Sequence, residues 1–480
     1  MSFVSWQFVA FFAITLAGLR VMPTRESRQL LLLVANVIFY GSGTPWHLAV
    51  LGVPSIIDYA AARRIEAATD ARTRKQWLQF SIACNLGLLA YFKYADFFVD
   101  TVAHLVGTST LPLLIALPVG ISFFTFKTMS YTIDVYRGEI PACRSLWRYA
   151  MFVSFFPELV AGPIVRASIF LPQMDRPLTP RWGRTVIGLQ IALIGVAKKL
   201  LIADRLASFS DSVFDAPAAF SQGTVIAAVI AYSLQIYCDF SGYSDIAIGV
   251  ARIIGFDLPE NFDMPYLATS ITEFWRRWHM TLSRWLRDYL YIPLGGNRRG
   301  PWRTYLNLAI TMLLGGLWHG ANWTFVAWGL LHGLGLAVHK LVRSRATSDA
   351  APRSMLGTVL SWAATYTFVC IGWVFFRSPD FATAATVLAK MAGLSPGGVT
   401  WLYAPLFMVV PAVVAAHAIG VLHQRGVRWR VLRATQQPGT GTYFGLRYAG
   451  FATGALIVAA LLTLFLFTPL HHSPFIYFRF

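Results

Sequence analysis

The stretch Leu313–Trp323, LLGGLWHGANW, sets a histidine between two tryptophans inside an apolar run. An imidazole is costly to place in hydrocarbon, and an ionisable residue at membrane depth marks a site or a pathway by default. Whether the surroundings are membrane is answered by composition. Of 480 residues, 56% are hydrophobic and only 13% charged, against roughly 25% charged in an average soluble domain. Mean hydropathy is +0.55, and apolar stretches recur over nearly the whole length. The sequence therefore reads as an all-α polytopic integral membrane protein, not as two or three soluble domains.

Crossing the hydrocarbon takes about 20 apolar residues. Candidate spans fall near residues 3–20, 29–41, 46–62, 77–95, 112–133, 185–203, 223–250, 357–376, 404–422 and 450–469. The formal net charge of +18 lies in short clusters between them, at Arg20–Arg28, Arg63–Lys75, Arg137–Arg148, Arg298–Arg303, Lys340–Arg353 and Arg425–Arg433. That is the pattern of cytoplasmic loops facing anionic lipid, and it argues against nucleic acid as a partner. With no charge before Arg20, ten crossings put both termini outside the cytoplasm, and the loops at 96–111, 204–222 and 378–403 outside as well. Lys198 and Lys199 fit badly near the outer end of their span, where they would snorkel unless the boundary lies elsewhere. The first twenty residues lack a basic n-region and an A-x-A site, so they read as a retained span, not a signal peptide. Cys84, Cys143, Cys238 and Cys370 are scattered with no CxxC pair, which supports neither a disulfide framework nor a metal site. FFPELVAGPIVR, Phe155–Arg166, is broken by prolines and glycine between basic loops and reads as a re-entrant segment.

Working outward from the opening motif, a helix over about Tyr305–Trp318, a turn at His319–Asn322 and a second helix to Lys340 form a hairpin entering from the cytoplasm. At 1.5 Å per residue His319 lies about 24 Å along the helix from Arg303, deep in a core about 30 Å thick. Gly315, Gly316 and Gly320 permit close backbone approach around it, which puts His319 at the bottom of a protein-lined cavity with Trp318 and Asn322 as candidate lining. Upstream, Ile271–Leu294 places Trp275, Trp278, Leu282, Trp285 and Tyr289 in one stripe along a helix, with Arg276, Arg277, Arg284 and Arg287 on other faces. That pattern suits an interfacial amphipathic helix, except that His279 sits at the edge of the stripe. Either histidine could be structural. Two histidines meeting in a cavity would offer general acid–base chemistry near neutral pH. No third ligand has zinc spacing. His332, in WGLLHG, is read as a structural hydrogen-bonding residue and a weaker cavity candidate. In Gln235–Gly249, Asp239, Ser241, Ser244 and Asp245 interrupt an apolar segment, and they either line the cavity or hold the helix to a neighbour.

The segments YCDFSGYSDIAIGVARIIGF, ENFDMPYLATSITEFWRRWHMTLSRWLRDYLYIPLGGNR and LLGGLWHGANWTFVAWGLLHG, with FFPELVAGPIVR and the terminal PFIYFRF, resemble the membrane-bound O-acyltransferase family in its bacterial alginate O-acetyltransferase-like branch. The resemblance implies one membrane-embedded domain over residues 1–480, with ten or more helices around a central tunnel. Its catalytic region would cover about 235–340, with an extracytoplasmic tail at 471–480. It implies that His319 is the family's catalytic histidine and His279 its second active-site position. The implied donor is a cytoplasmic thioester, acetyl-CoA or an acyl carrier protein, with no permanently bound cofactor. The implied acceptor is an extracytoplasmic polysaccharide (alginate, cellulose or peptidoglycan) at the bacterial inner membrane, reached through an extracytoplasmic acetyltransferase or esterase-like partner. D-alanyl transfer by the same fold is an alternative. A histidine-based proton or solute transporter is another, although the paired repeats common in transporters are not visible. The aromatic tail HHSPFIYFRF is either an interfacial anchor or, by likeness to the family's C-terminal motif, folds back into the tunnel with Tyr477 as an acyl relay.

The orientation has a direct test. Cysteines introduced at 341–353 and 425–447 should resist an impermeant thiol reagent in intact spheroplasts, while those at 381–400 react. External labelling at 425–447 would reverse the topology.

Overall fold

The computed structural model describes residues 1–108, 111, 113, 115–176, 178, 181–345 and 354–424, a strand pair, and Phe475. Apart from the antiparallel pair Leu432–Gln437 and Thr440–Leu446, the regular structure is helical. Among the described residues, five helices are long and apolar enough to cross a membrane: Ala71–Leu105, Trp182–Asp215, Gln222–Ile254, Trp323–Ser344 and Met355–Arg377. Large apolar side chains such as Ile14, Val53, Val338 and Leu360 lie exposed along helices, as a lipid-facing surface requires.

Several boundaries differ from the sequence expectation. The helix expected at 112–133 starts at Ile121, because Gly120 caps it in the left-handed region at φ 79°. Helix continues through Leu105 and through Asp215, so much of the expected loops 96–111 and 204–222 is helical. The loop 378–403 contains the helix Phe381–Met391, capped by Asp380. The span expected at 450–469 lies outside the described residues.

The chain packs as two compact units, Met1–Ala192 with Ser244–Pro259, and Leu193–Tyr243 with Glu260–Phe480. In the first, Phe155–Arg166 is broken as its prolines and glycine demand. It keeps only the short helix Phe156–Leu159 and is almost wholly buried. Its irregular backbone is satisfied by protein: Asn36 Oδ1 accepts the Phe156 N–H at 3.0 Å. Glu158 pairs with Lys127, whose ammonium also lies 4.4 Å from the Phe152 ring centre. A re-entrant segment needs such partners, since no water is at hand to replace them.

In the second unit the lysine that fitted badly finds its place. Beyond Ala197 the helix loosens into a π-turn, Lys198–Ala203, and Lys199 neither snorkels nor ends the span. Its Nζ lies 2.8 Å from Asp204 and 2.7 Å from Asp239, all three side chains being nearly inaccessible. One face of Gln222–Ile254 is thus tied to the neighbouring helix by charge. Gly242 lies so close to the Gly195 carbonyl that a Cβ would stand 2.7 Å from it. Removing the ammonium leaves two buried carboxylates facing each other, a loss of about 3–5 kcal/mol for a broken buried pair. Lys199→Met should therefore lower the thermal midpoint in detergent markedly, and adding Asp239→Asn should recover part of it. An unchanged midpoint in Lys199→Met would contradict the clamp.

Candidate active site

His279, His319, Trp318, Asn322, His332, Asp239 and Ser241 lie in the second unit, whereas Ser244 and Asp245 lie in the first. The hairpin is present and longer than expected. Its first helix runs Gly300–His319, because Pro301 needs no N–H at the first helical turn and starts the helix instead of ending it. Its second helix is Trp323–Arg345. The two backbones meet at Gly316 and Gly329. A Cβ on Gly316 would collide with the Phe325 carbonyl oxygen, and one on Gly329 with that of Met312. His319 is the last residue of the first helix, at the hairpin tip, and is buried.

The stripe Ile271–Leu294 is not one helix. It breaks into Ile271–Arg277 and Met280–Leu286, followed by a π-turn at Arg287–Tyr291. The stripe residues are buried, so this is a wall of the protein interior, not an interfacial anchor. At the break, His279 takes φ 41°, ψ 54°, a left-handed conformation that costs about 1–3 kcal/mol outside glycine and persists only when its neighbours impose it. Asn261 imposes it. Its carbonyl oxygen accepts the Met280 N–H at 2.9 Å. Its side-chain oxygen accepts from the Thr281 hydroxyl at 2.9 Å and backbone N–H at 3.3 Å, and lies 3.0 Å from His279 Nδ1.

Those bonds fix the chemistry of His279. An atom receiving a backbone N–H is the amide oxygen, so His279 Nδ1 must carry the hydrogen that points at it. Burial pulls this imidazole far below its ordinary pKa, to about 3. The neutral ring therefore has its lone pair at Nε2.

The break turns His279 toward His319, with ring centres 6.4 Å apart. Trp318 lies edge-on to both, 5.9 Å from His279 and 5.0 Å from His319. Trp328 at 5.0 Å and Phe376 at 5.3 Å complete the box around His319. Phe240 lies perpendicular to His279 at 4.7 Å. The result is two imidazoles facing each other between aromatic rings.

The other candidates separate. Trp318 belongs to the box. Asn322 does not line it: its side-chain oxygen caps Thr324 at 2.9 Å and its amide donates to the Pro379 carbonyl at 2.8 Å. Asp239 is committed to Lys199, which selects the helix-holding reading for it. Ser241 is buried on the same helix. His332 is buried beside the box, its Nδ1 accepting from the Trp275 indole at 3.3 Å. Tyr477 lies outside the described residues, but Phe475 is buried, 4.5 Å from the Tyr243 ring and 5.9 Å from Phe240. Sequence reasoning passed over Asn261, Phe240, Trp328 and Phe376. Asn261 stands in the ENFDMP segment, eighteen residues before the histidine it holds, and no local spacing connects them.

Comparison with known proteins identifies the family. The model of the MBOAT, membrane-bound O-acyltransferase, family matches residues 32–378. The chain is 38% identical to the "Probable alginate O-acetylase AlgI" of Pseudomonas putida over the full length of both. It is 39% identical to the "Peptidoglycan O-acetyltransferase" of Helicobacter pylori over 76% of this chain and 74% of that one. A "Teichoic acid D-alanyltransferase" of Streptococcus thermophilus is 31% identical over 46% of this chain and 56% of its own. A transporter reading has no place beside these matches. The chain belongs to the membrane-bound O-acyltransferase family and is a multi-pass membrane enzyme that transfers acyl groups to oxygen.

Proposed function

We propose that this enzyme takes an acetyl group from a cytoplasmic thioester, acetyl-CoA or an acyl carrier protein, and passes it across the bacterial inner membrane. The destination is the hydroxyl groups of an extracytoplasmic polysaccharide, reached through an extracytoplasmic acetyltransferase or esterase-like partner. The observation that carries the reading is the pair His279–His319, facing each other at 6.4 Å inside an aromatic box. Among the relatives, the acetyltransferases share more identity over more of the chain than the D-alanyltransferase does. That favours acetyl over D-alanyl as the group carried, and alginate- or peptidoglycan-like glycans as the final acceptor.

The roles follow from the hydrogen bonds. With its lone pair at Nε2, His279 accepts a hydrogen bond and cannot give one to a thioester carbonyl. The single proton of the entering hydroxyl therefore points to His319, which takes it as the oxygen attacks, while the His279 lone pair is left to accept from another donor group of the bound substrates. The new carbon–oxygen bond forms, the carbon–sulfur bond breaks, and the departing thiolate recovers the proton from His319. The two rings stand 6.4 Å apart, and the apolar walls keep water from competing for the thioester.

The immediate acceptor on this reading is Tyr477, which takes the acetyl group as a phenyl ester and presents it outside. Phe475, two residues earlier, supports a tail folded inward. It is packed against Phe240, the ring that lies on His279.

Two substitutions test these roles. His319→Ala should leave abundance and membrane insertion nearly unchanged. Turnover of radiolabelled acetyl-CoA by the purified protein should fall by about 10²–10⁴, the usual contribution of a general base; near wild-type turnover would remove His319 from the chemistry. Tyr477→Phe keeps the ring and loses only the hydroxyl. It should stop glycan acetylation in cells, and normal acetylation there would leave the tail as an anchor.

A further inference from the structure

The short helix Ile271–Arg277 that ends two residues before His279 is fastened to the return helix of the hairpin at two points. The Trp275 indole N–H donates to His332 Nδ1 at 3.3 Å. The Thr272 hydroxyl lies 2.9 Å from His339 Nδ1. The pairs run in opposite senses, 272 with 339 and 275 with 332. Following the short helix toward its end therefore leads down the return helix toward its start, where His319 waits at the hairpin tip.

His332 is the inner of these two rungs, and its geometry is over-determined. The indole can only donate, so His332 Nδ1 must be bare, and a neutral ring then carries its hydrogen at Nε2. Trp328 holds one side of the ring at 4.8 Å, Phe368 lies perpendicular at 5.6 Å, and Phe274 stacks at 6.2 Å. Gly372 makes room for the far edge, since a Cβ there would stand 2.8 Å from Nε2. Trp328, which touches His332, also touches His319 at 5.0 Å. The ring that holds the short helix leading to His279 is therefore packed against the wall of the base itself.

We infer that His332 is a positioning residue for acyl transfer: by accepting from Trp275 it fixes the short helix, and so sets His279 opposite His319. The inference rests on the assignment of those two histidines to the chemistry. A slip of the short helix by one turn would displace His279 by about 5.4 Å, and an error of about 1 Å in a reacting group already costs on the order of 10²-fold in rate.

The test compares three single variants and one double variant of the full chain in detergent. His332→Phe removes the acceptor, Trp275→Phe removes the donor, and His332→Asn keeps an acceptor oxygen near the place of Nδ1. Two measurements are made, hydrogen exchange over the peptide 271–286 and radiolabelled acetyl-CoA turnover per folded enzyme. His332→Phe and Trp275→Phe should each quicken exchange and lower kcat by about 10–100-fold with KM little changed, a loss of the size that misplaced groups give. The double variant should be no worse than the poorer single, and His332→Asn should recover most of both signals. Losses that multiply in the double variant, or an Asn variant as poor as the Phe, would overturn the inference. So would unchanged exchange in His332→Phe. Quickened exchange with an undisturbed kcat would instead overturn the assignment of His279 to the chemistry, and the inference with it.

Discussion

At Gly316 and Gly329 the two arms of the hairpin touch backbone to backbone, and a methyl group on either would strike a carbonyl oxygen of the other arm. Glycine inside a helix costs roughly 1 kcal/mol against alanine. Here the cost is met by close packing, the main attraction available to helices that share an apolar solvent. The rest of the site depends on that contact. It brings the arms together just before the tip, so His319 ends one helix with Trp328 close at hand on the next. His332 and His339 follow on that second helix, at the places where the short helix Ile271–Arg277 is held.

The second requirement is that the facing histidine be held in a conformation it would not choose. His279 has a positive φ, and the compensating bonds come from Asn261, whose side-chain oxygen serves His279 and Thr281 while its carbonyl holds Met280. Asparagine suits this because one planar group gathers several donors at one oxygen. The same economy appears at other buried polar groups of the chain. Lys199 answers two carboxylates. Asp58 is met by Ser81 at 2.6 Å and by Asn85 at 2.9 Å. In a protein surrounded by hydrocarbon, such polar residues survive inside because they are given partners.

How far this was legible in the sequence depends on the distance between partners. The hairpin was legible because glycines, tryptophans and histidine lie within eleven consecutive residues and basic clusters mark both ends. The break in Phe155–Arg166 was legible from its own prolines and glycine. The break at His279 was not. Trp275, Trp278, Leu282, Trp285 and Tyr289 keep helical spacing across it, and all five are buried, so periodicity reports the buried face and is blind to a single reversed φ inside it. The partner that imposes the reversal lies in a different segment. The tie made by Lys199 was hidden for the same reason: a lysine in a span is visible, but Asp239, forty residues on, is only one of several acids it could meet. Asn322 looked like cavity lining because it follows His319 closely, whereas an asparagine two residues before a threonine at a helix start is also a capping signal, and the structure uses it so.

On the proposed roles, the use of two histidines at this point follows from the same physics. Burial favours the uncharged form of any titratable group. For a carboxyl group the uncharged form is the acid, which cannot take a proton. For an imidazole it is the base. Walls made of Trp318, Trp328, Phe376 and Phe240 would silence an aspartate or glutamate as a base at neutral pH but leave an imidazole ready. With the thioester donor proposed above, those walls would also exclude the water that hydrolyses it. Under the proposed roles, one arrangement of apolar rings thus serves both the acyl group and the base. The sequence signature of that arrangement is a histidine flanked by tryptophan at each of two positions forty residues apart.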